Sequence, residues 1–267
     1  MALIHVDFFS EVLEMSSQID VILPQKTRGQ IGVKNLDETE KYPVLYLLHG
    51  MTDNQTTWQR NTSIERYATE RGIAVVMPTC HLGWYTDMHI GFRYYTYVAK
   101  ELPSICARFF PGISQERRDT FIAGNSMGGY GAFKIALHNP DKFAAAASLS
   151  GGLDAASTVH SGTDSFYPTL WEDIFGPADT VPGSIHDLFA VSKKLAESNS
   201  PEIPSLYMWC GLDDFLYDHN IRMRDHLNQN GFRLTYKETP GDHCWKDWDR
   251  EIQYILDWFL SVRRGEN

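Results

Sequence analysis

The hydrophobic positions along this chain change their period several times, and those changes lay out its elements. Strand-like, largely apolar runs fall at residues 19–23, 44–48, 73–77, 120–123, 144–149, 205–210 and 234–238. Each is short and flanked by turn formers or charge, which predicts strands. Val44-Leu45-Tyr46-Leu47-Leu48 has no polar alternation at all, the pattern of a parallel strand buried on both faces. Stretches of helix length occupy 63–71, 94–109, 129–138, 217–230 and 248–262. Strand alternating with helix from residue 44 onward predicts a mostly parallel sheet covered by helices on both faces, preceded by antiparallel strands near the N-terminus.

One stretch breaks the rhythm. Residues 153–200 are rich in Ser, Asp, Pro and Gly, yet they include Phe166, Tyr167, Trp171 and Phe175. A long insertion with its own aromatics predicts a cap over a site. No repeat or linker divides the chain, so its 267 residues are expected to form one α/β domain carrying this insertion.

Charge narrows the range of partners. The chain has 24 Lys and Arg against 34 Asp and Glu, a net charge of −10, and no basic cluster longer than a pair such as Arg117-Arg118. Nucleic acid and anionic membrane surfaces are therefore excluded as expected partners. No apolar run approaches the length of a membrane span, and the N-terminal MALIHVDFFSEVLEM lacks a basic segment followed by an apolar one. Cys80, Cys106, Cys210 and Cys244 are scattered with no C-x-x-C pair, which predicts neither a zinc site nor a disulfide framework and fits a cytoplasmic location. The aromatic content of 13% fits core packing, an apolar pocket under a cap, or the interface of a homo-oligomer.

The strongest chemical signal is Gly124-Asn125-Ser126-Met127-Gly128, a G-x-S-x-G that follows one predicted strand and opens a predicted helix. That context is the nucleophile elbow of the α/β-hydrolase fold, where a sharp turn presents the serine hydroxyl and small neighbours let adjacent backbone pass. The alternative is a Gly-rich turn with an N-capping serine. At a helix start, unpaired amides face any negative charge that develops beside Ser126, so the Met127 amide is one candidate oxyanion donor. The run 44–48 leads into His49-Gly50-Met51, and the Met51 amide is the candidate for the second.

A serine nucleophile of this kind needs a base and an acid in the chain order serine, acid, histidine. Among the ten histidines, His243 in Pro240-Gly241-Asp242-His243-Cys244-Trp245 satisfies both that order and a turn after a late strand. The turn after run 205–210 offers Asp213 and Asp214 as the acid; hydrolases of this kind commonly place it three residues beyond the strand-ending glycine, which favours Asp214. Cys244 adjoins His243, but adjacent side chains on an extended segment point apart, so a packed thiol is expected. His81, His89 and Asp87 match no metal-ligand spacing. Neither a metal nor a cofactor is expected.

The chain resembles the esterase D type of esterases, and within it the bacterial tributyrin esterases. The resemblance rests on Leu48-His49-Gly50-Met51 with Asp53-Asn54 and Thr57-Trp58, Tyr85-Thr86-Asp87, Tyr97 to Leu102-Pro103, the run from Gly124 to Ala132, Cys210-Gly211 with Asp214-Phe215-Leu216, and Gly241 to Trp245 before Trp248. It spans nearly the whole chain. It implies a serine carboxylesterase that hydrolyses short-chain acyl esters, a small-molecule ester as partner, the triad Ser126, Asp214 and His243, and Trp58, Tyr85 and Asp87 at the border of the substrate pocket. Two positions depart from the expected pattern: Cys244, where Asp or Ser is more familiar, and Leu212, where a small polar residue is common. The same superfamily includes S-formylglutathione hydrolases, feruloyl and acetylxylan esterases and mycolyl-type acyltransferases. A catalytically inactive binding protein of this fold is the alternative from outside enzymology.

Overall fold

The computed structural model describes residues 1–25, 41–161, 167–198 and 200–266. Among these residues, eight strands form one sheet in the order β1-β2-β4-β3-β5-β6-β7-β8. They are β1 (Ala2–Ser10), β2 (Met15–Leu23), β3 (Val44–Leu48), β4 (Ala74–Pro78), β5 (Thr120–Asn125), β6 (Ala145–Leu149), β7 (Ser205–Gly211) and β8 (Leu234–Thr239). β1, β2 and β4 pair antiparallel, and every other pairing is parallel. The antiparallel start is therefore present, with β1 longer than any apolar run could show. Its side chains alternate between inward Ile4, Val6 and Phe8 and outward His5 and Asp7, because the outer face of this edge strand meets water.

Among the described residues, ten helices surround the sheet: α1 (Thr57–Asn61), α2 (Ile64–Arg71), α3 (Tyr94–Thr96), α4 (Leu102–Phe109), α5 (Met127–His138), α6 (Ala155–Ser161), α7 (Leu170–Phe175), α8 (Leu188–Glu197), α9 (Tyr217–Gln229) and α10 (Trp245–Arg264). A π-helical turn, Tyr97–Glu101, joins α3 to α4, so the predicted helix 94–109 is one rod with a widened turn inside it.

Successive residues of the central strands face opposite sides, and the core divides accordingly. Tyr46, Leu48, Ile122, Ala146, Leu206 and Met208 pack on one face with α4, α5 and α9. Leu45, Leu47, Phe121, Ala123, Tyr207 and Trp209 pack on the other with α2 and α10. Helix α10 buries Trp248, Ile252, Ile255, Leu256 and Phe259, a single stripe at helical spacing. Both faces are covered at the centre of the sheet, which is why β3, β4 and β6 read as continuous, mostly apolar runs.

The insertion is helical where it is described, comprising α6, α7, a 3-10 turn (Ala178–Thr180) and α8. Phe166 lies outside the described residues. Trp171 and Phe175 of α7 pack on Trp84 with ring centroids 5.2 and 5.8 Å apart. Three residues spaced one turn apart on α5 hold the following strap: Tyr130 donates to the His186 carbonyl at 3.0 Å, Lys134 bonds His186 Nδ1 at 2.8 Å, and His138 Nε2 donates to the Ile185 carbonyl at 3.0 Å. The helix behind Ser126 thus anchors the insertion. Among the described residues, no helix is long and apolar enough to cross a membrane.

Candidate active site

The parallel strands end their carboxyl termini along one edge of the sheet, where ligand sites of open α/β sheets form. From the end of β5, Ser126 turns the chain into α5 with φ 53° and ψ −118°. That conformation is costly for a residue with a Cβ and persists because its surroundings fix it. The Ser126 amide donates to the Leu149 carbonyl at 2.9 Å, and its carbonyl accepts from Gly129, Tyr130 and Gly152. The flanking glycines are needed for close approach. A Cβ on Gly128 would lie 2.5 Å from the Leu48 carbonyl oxygen, and one on Gly124 would lie 2.5 Å from the carbonyl of Gly128.

The turns after β7 and β8 are stitched together. Leu212 and Asp213 donate their amides to the carbonyls of Thr239 and Gly241 at 3.0 and 2.9 Å. Gly211 permits this, since a Cβ there would meet the Gly241 carbonyl oxygen at 2.4 Å. The result places Asp214 against His243: its Oδ1 and Oδ2 lie 3.0 and 2.9 Å from Nδ1. Asp213 is exposed. A carboxylate only accepts, so Nδ1 carries the hydrogen and Nε2 is the nitrogen with a free lone pair.

Asp214 is buried, and its Oδ1 also accepts the Leu216 amide at 2.8 Å. Burial pushes its carboxyl up, but hydrogen bonding and charge from His243, with help from Ser150 and Leu216, outweigh that and hold it below the usual value. The His243 ring is enclosed by Phe215, 4.4 Å away between centroids, and by Trp248, edge-on at 4.9 Å. Trp248 Nε1 donates to the hydroxyl of Ser150 at 3.1 Å. Ser150 is fully buried, at φ 51°. The turn Ser150-Gly151-Gly152 thus supports both the acid and the elbow, a function that sequence reasoning missed. Its signal was a Ser-Gly-Gly directly after a strand.

His49 and Met51 follow β3. His49 Nε2 accepts the Cys80 amide at 2.9 Å while Nδ1 donates to the Gly50 carbonyl at 2.7 Å. Both contacts require a neutral ring, and burial lowers its pKa to about 4. The turn bearing the Met51 amide is therefore held by an uncharged clamp. Met127 begins α5, so its amide has no carbonyl four residues back within the helix.

Trp58, Tyr85 and Asp87, expected at the pocket border, each have defined polar partners. Trp58 is 1% exposed and donates Nε1 to the Leu48 carbonyl at 3.0 Å. Tyr85 is fully buried, with its hydroxyl on the His49 carbonyl. Both brace the end of β3, because their polar tips donate to carbonyls there. Asp87 accepts from the Thr96 amide and hydroxyl at 2.8 and 2.6 Å. It lines a small cavity of about 170 Å³ with Tyr95, Lys134, His138 and Ile185, two turns along α5 from Ser126.

Cys244 is extended, at φ −140° and ψ 156°, and its thiol lies 3.4 Å from Asp247. Asp242, Cys244 and Asp247 are close enough to hold a cation, but Asp247 already serves the Asp242 amide, the Cys244 thiol and Arg250. That network ties the first turn of α10 to the turn after β8. His81 bonds the Tyr94 hydroxyl, and among the described residues it forms no metal-binding group with His89 and Asp87. A larger cavity of about 440 Å³ lies between α5 and α8, lined by residues such as Leu137, Ile185 and Val191. Its lining includes Ser184 and His138, but His138 gives Nε2 to the Ile185 carbonyl, so chemistry rather than volume locates the site.

The Esterase family, described as "Putative esterase", matches residues 10–259. An acetyl esterase of Caldicellulosiruptor saccharolyticus is 31% identical, with 98% of this chain and 99% of that protein aligned. The substrate-bound structure of fluorophosphonate-binding serine hydrolase F from Staphylococcus aureus superposes with a TM-score of 0.87 at 34% identity, covering 97% and 98% of the two chains. The apoenzyme of an S-formylglutathione hydrolase from the same organism gives 0.84 at 34% identity, again over 97% and 98%.

Proposed function

Because the chain belongs to the Esterase family and is a serine esterase, a carboxylic ester hydrolase, we propose that it cleaves short-chain acyl esters through an acyl-enzyme on Ser126. The observation that carries this is a His243 whose Nδ1 is fixed by buried Asp214, in a chain that also holds Ser126 in a strained turn at a helix start. Nε2 takes the Ser126 hydrogen as Oγ bonds to the acyl carbon, and Asp214 stabilises the imidazolium. The amides of Met51 and Met127 hold the negative oxygen. The proton then passes to the departing alcohol oxygen as its bond to carbon breaks. Water then bonds to the acyl carbon, losing a proton to the same nitrogen, which passes it to Ser126 Oγ as the carbon–Oγ bond breaks and the acid leaves.

A short acyl preference is supported by the likeness to the acetyl esterase and by packing on the insertion side. There Trp84, Tyr130, Trp171 and Phe175 fill the space ring against ring, and Trp84 lies against Gly152 beside the elbow. In this reading residues 153–200 act as the cap of a single α/β domain. The four cysteines are unpaired and three are buried, which fits a reducing, cytoplasmic setting.

Thioester hydrolysis is the second reading, favoured by the likeness to the S-formylglutathione hydrolase, and the same machinery would perform it. The test is turnover by the native protein and Ser126→Ala of esters from acetyl to long-chain acyl, with S-formylglutathione alongside. Short esters preferred, with activity lost in the variant, is the expected result. Dominant thioester turnover would replace the first reading by the second, and undiminished activity in Ser126→Ala would overturn both.

A further inference from the structure

Phe215 follows the triad acid directly and behaves in the opposite way. Asp214 is buried, whereas Phe215 is 76% exposed, more than any other large apolar side chain among the described residues. Isolated exposed hydrophobes are ordinary, but this ring is neither isolated nor randomly placed. Its centroid is 4.4 Å from that of His243, with the planes at 47°, and Leu212 on the same turn is 44% exposed. The turn is rigidly tied by its amides to the β8 loop and by Leu216 to Asp214. Phe215 therefore stands over the imidazole because the backbone holds it there.

The chemistry of acyl transfer gives that position a meaning, on the reading that Ser126 is acylated. The carbonyl oxygen lies toward Met51 and Met127. The alcohol oxygen must lie within reach of His243 Nε2 to receive its proton. Whatever extends beyond that oxygen leaves on the His243 side, where apolar surface projects into solvent. We propose that Phe215, flanked by Leu212, forms the leaving-group subsite of this esterase and selects apolar alcohols, aromatic ones above all. An aromatic alcohol stacks on the exposed ring and shields it from water, while a methyl or ethyl alcohol is too short to cover it. The acyl chain lies on the other side of the scissile bond and does not touch it.

The test compares the native protein with Phe215→Ala, Phe215→Trp and Ser126→Ala. One substrate series holds the acyl group as acetyl and varies the alcohol from methyl through butyl to benzyl; a second holds the alcohol and varies the acyl chain. Loss of one aromatic contact should lower kcat/KM for benzyl acetate about tenfold in Phe215→Ala, chiefly through KM, and for methyl acetate less than about threefold. The acyl ranking should stay as in the native protein, and Phe215→Trp should restore benzyl acetate turnover. Equal losses on methyl and benzyl acetate would overturn the subsite, since the ring would then act only by positioning His243. A changed acyl ranking would overturn it as well. Full activity in Ser126→Ala would overturn the acyl-enzyme reading and the subsite together, whereas inactivity there with a flat alcohol profile overturns the subsite alone.

Discussion

The phenol of Tyr85 donates to the carbonyl oxygen of His49 at 2.9 Å, and this one bond joins the segment after β4 to the turn that carries Met51. The same carbonyl would lie 2.8 Å from a Cβ on Gly128, so the Tyr85 bond, the oxyanion turn and the elbow share a single contact point. Trp84 and Tyr85 both adopt positive φ, 48° and 51°, and their burial fixes that costly backbone.

Tyr85→Phe should therefore leave a buried carbonyl without its hydrogen at a cost of about 1–3 kcal/mol. Urea unfolding measures that loss. Steady-state kinetics of the variant should show kcat falling with KM little changed, because the turn positions a donor that acts in the transition state.

Asp214→Asn should keep the fold and lower kcat by about 10⁴-fold, since an amide favours the wrong tautomer of His243. The Asp214 carboxyl is held below its ordinary value in the folded state. Its contribution to stability is present above the unfolded value near 4 and is lost as pH falls through the lowered one. Acid unfolding followed by circular dichroism should therefore be less steep below about pH 4 in Asp214→Asn than in the native protein.

Gly128→Ala places a methyl group against the backbone of β3, 2.5 Å from the Leu48 carbonyl oxygen. Neither segment can withdraw, so a loss of about 1–3 kcal/mol or more is expected. Gly112→Ala is the control. A Cβ at Gly112 meets nothing within 4 Å, and its urea midpoint should shift by less than about 0.5 kcal/mol equivalent.

Lys134 is fully enclosed, bonded to the Thr86 hydroxyl at 2.5 Å and to His186 at 2.8 Å, and burial lowers its pKa to about 7 despite the opposing charge of Asp87. The unfolded chain keeps this lysine protonated up to about pH 10. Between pH 7 and 9 the unfolded state therefore binds more protons, and stability should rise with pH. Urea midpoints measured across that window should rise in the native protein and flatten in Lys134→Met. If both slopes are equal, Lys134 is charged throughout that range in the fold.

Much of this architecture was legible in the amino-acid order. Val44–Leu48 is apolar at every position because helices cover both faces of the sheet, so its limits could be read directly. The elbow was legible because a serine at φ 53° between a strand and a helix needs Gly124 and Gly128 to let backbone pass. His243 was legible from chain order. Tertiary structure decided what depends on direction. Asp213 and Asp214 are equivalent as letters, and only the stitching of the β7 and β8 turns sends one inward to His243 and the other to water. Trp58 and Tyr85 are aromatics beside a motif, which suits a pocket wall or a brace equally well. Their polar tips met buried carbonyls, and that made them braces. Local spacing and hydrophobicity specified the elements and the reactive positions, whereas the side of the backbone from which each side chain faces its neighbours was fixed when distant turns closed against one another.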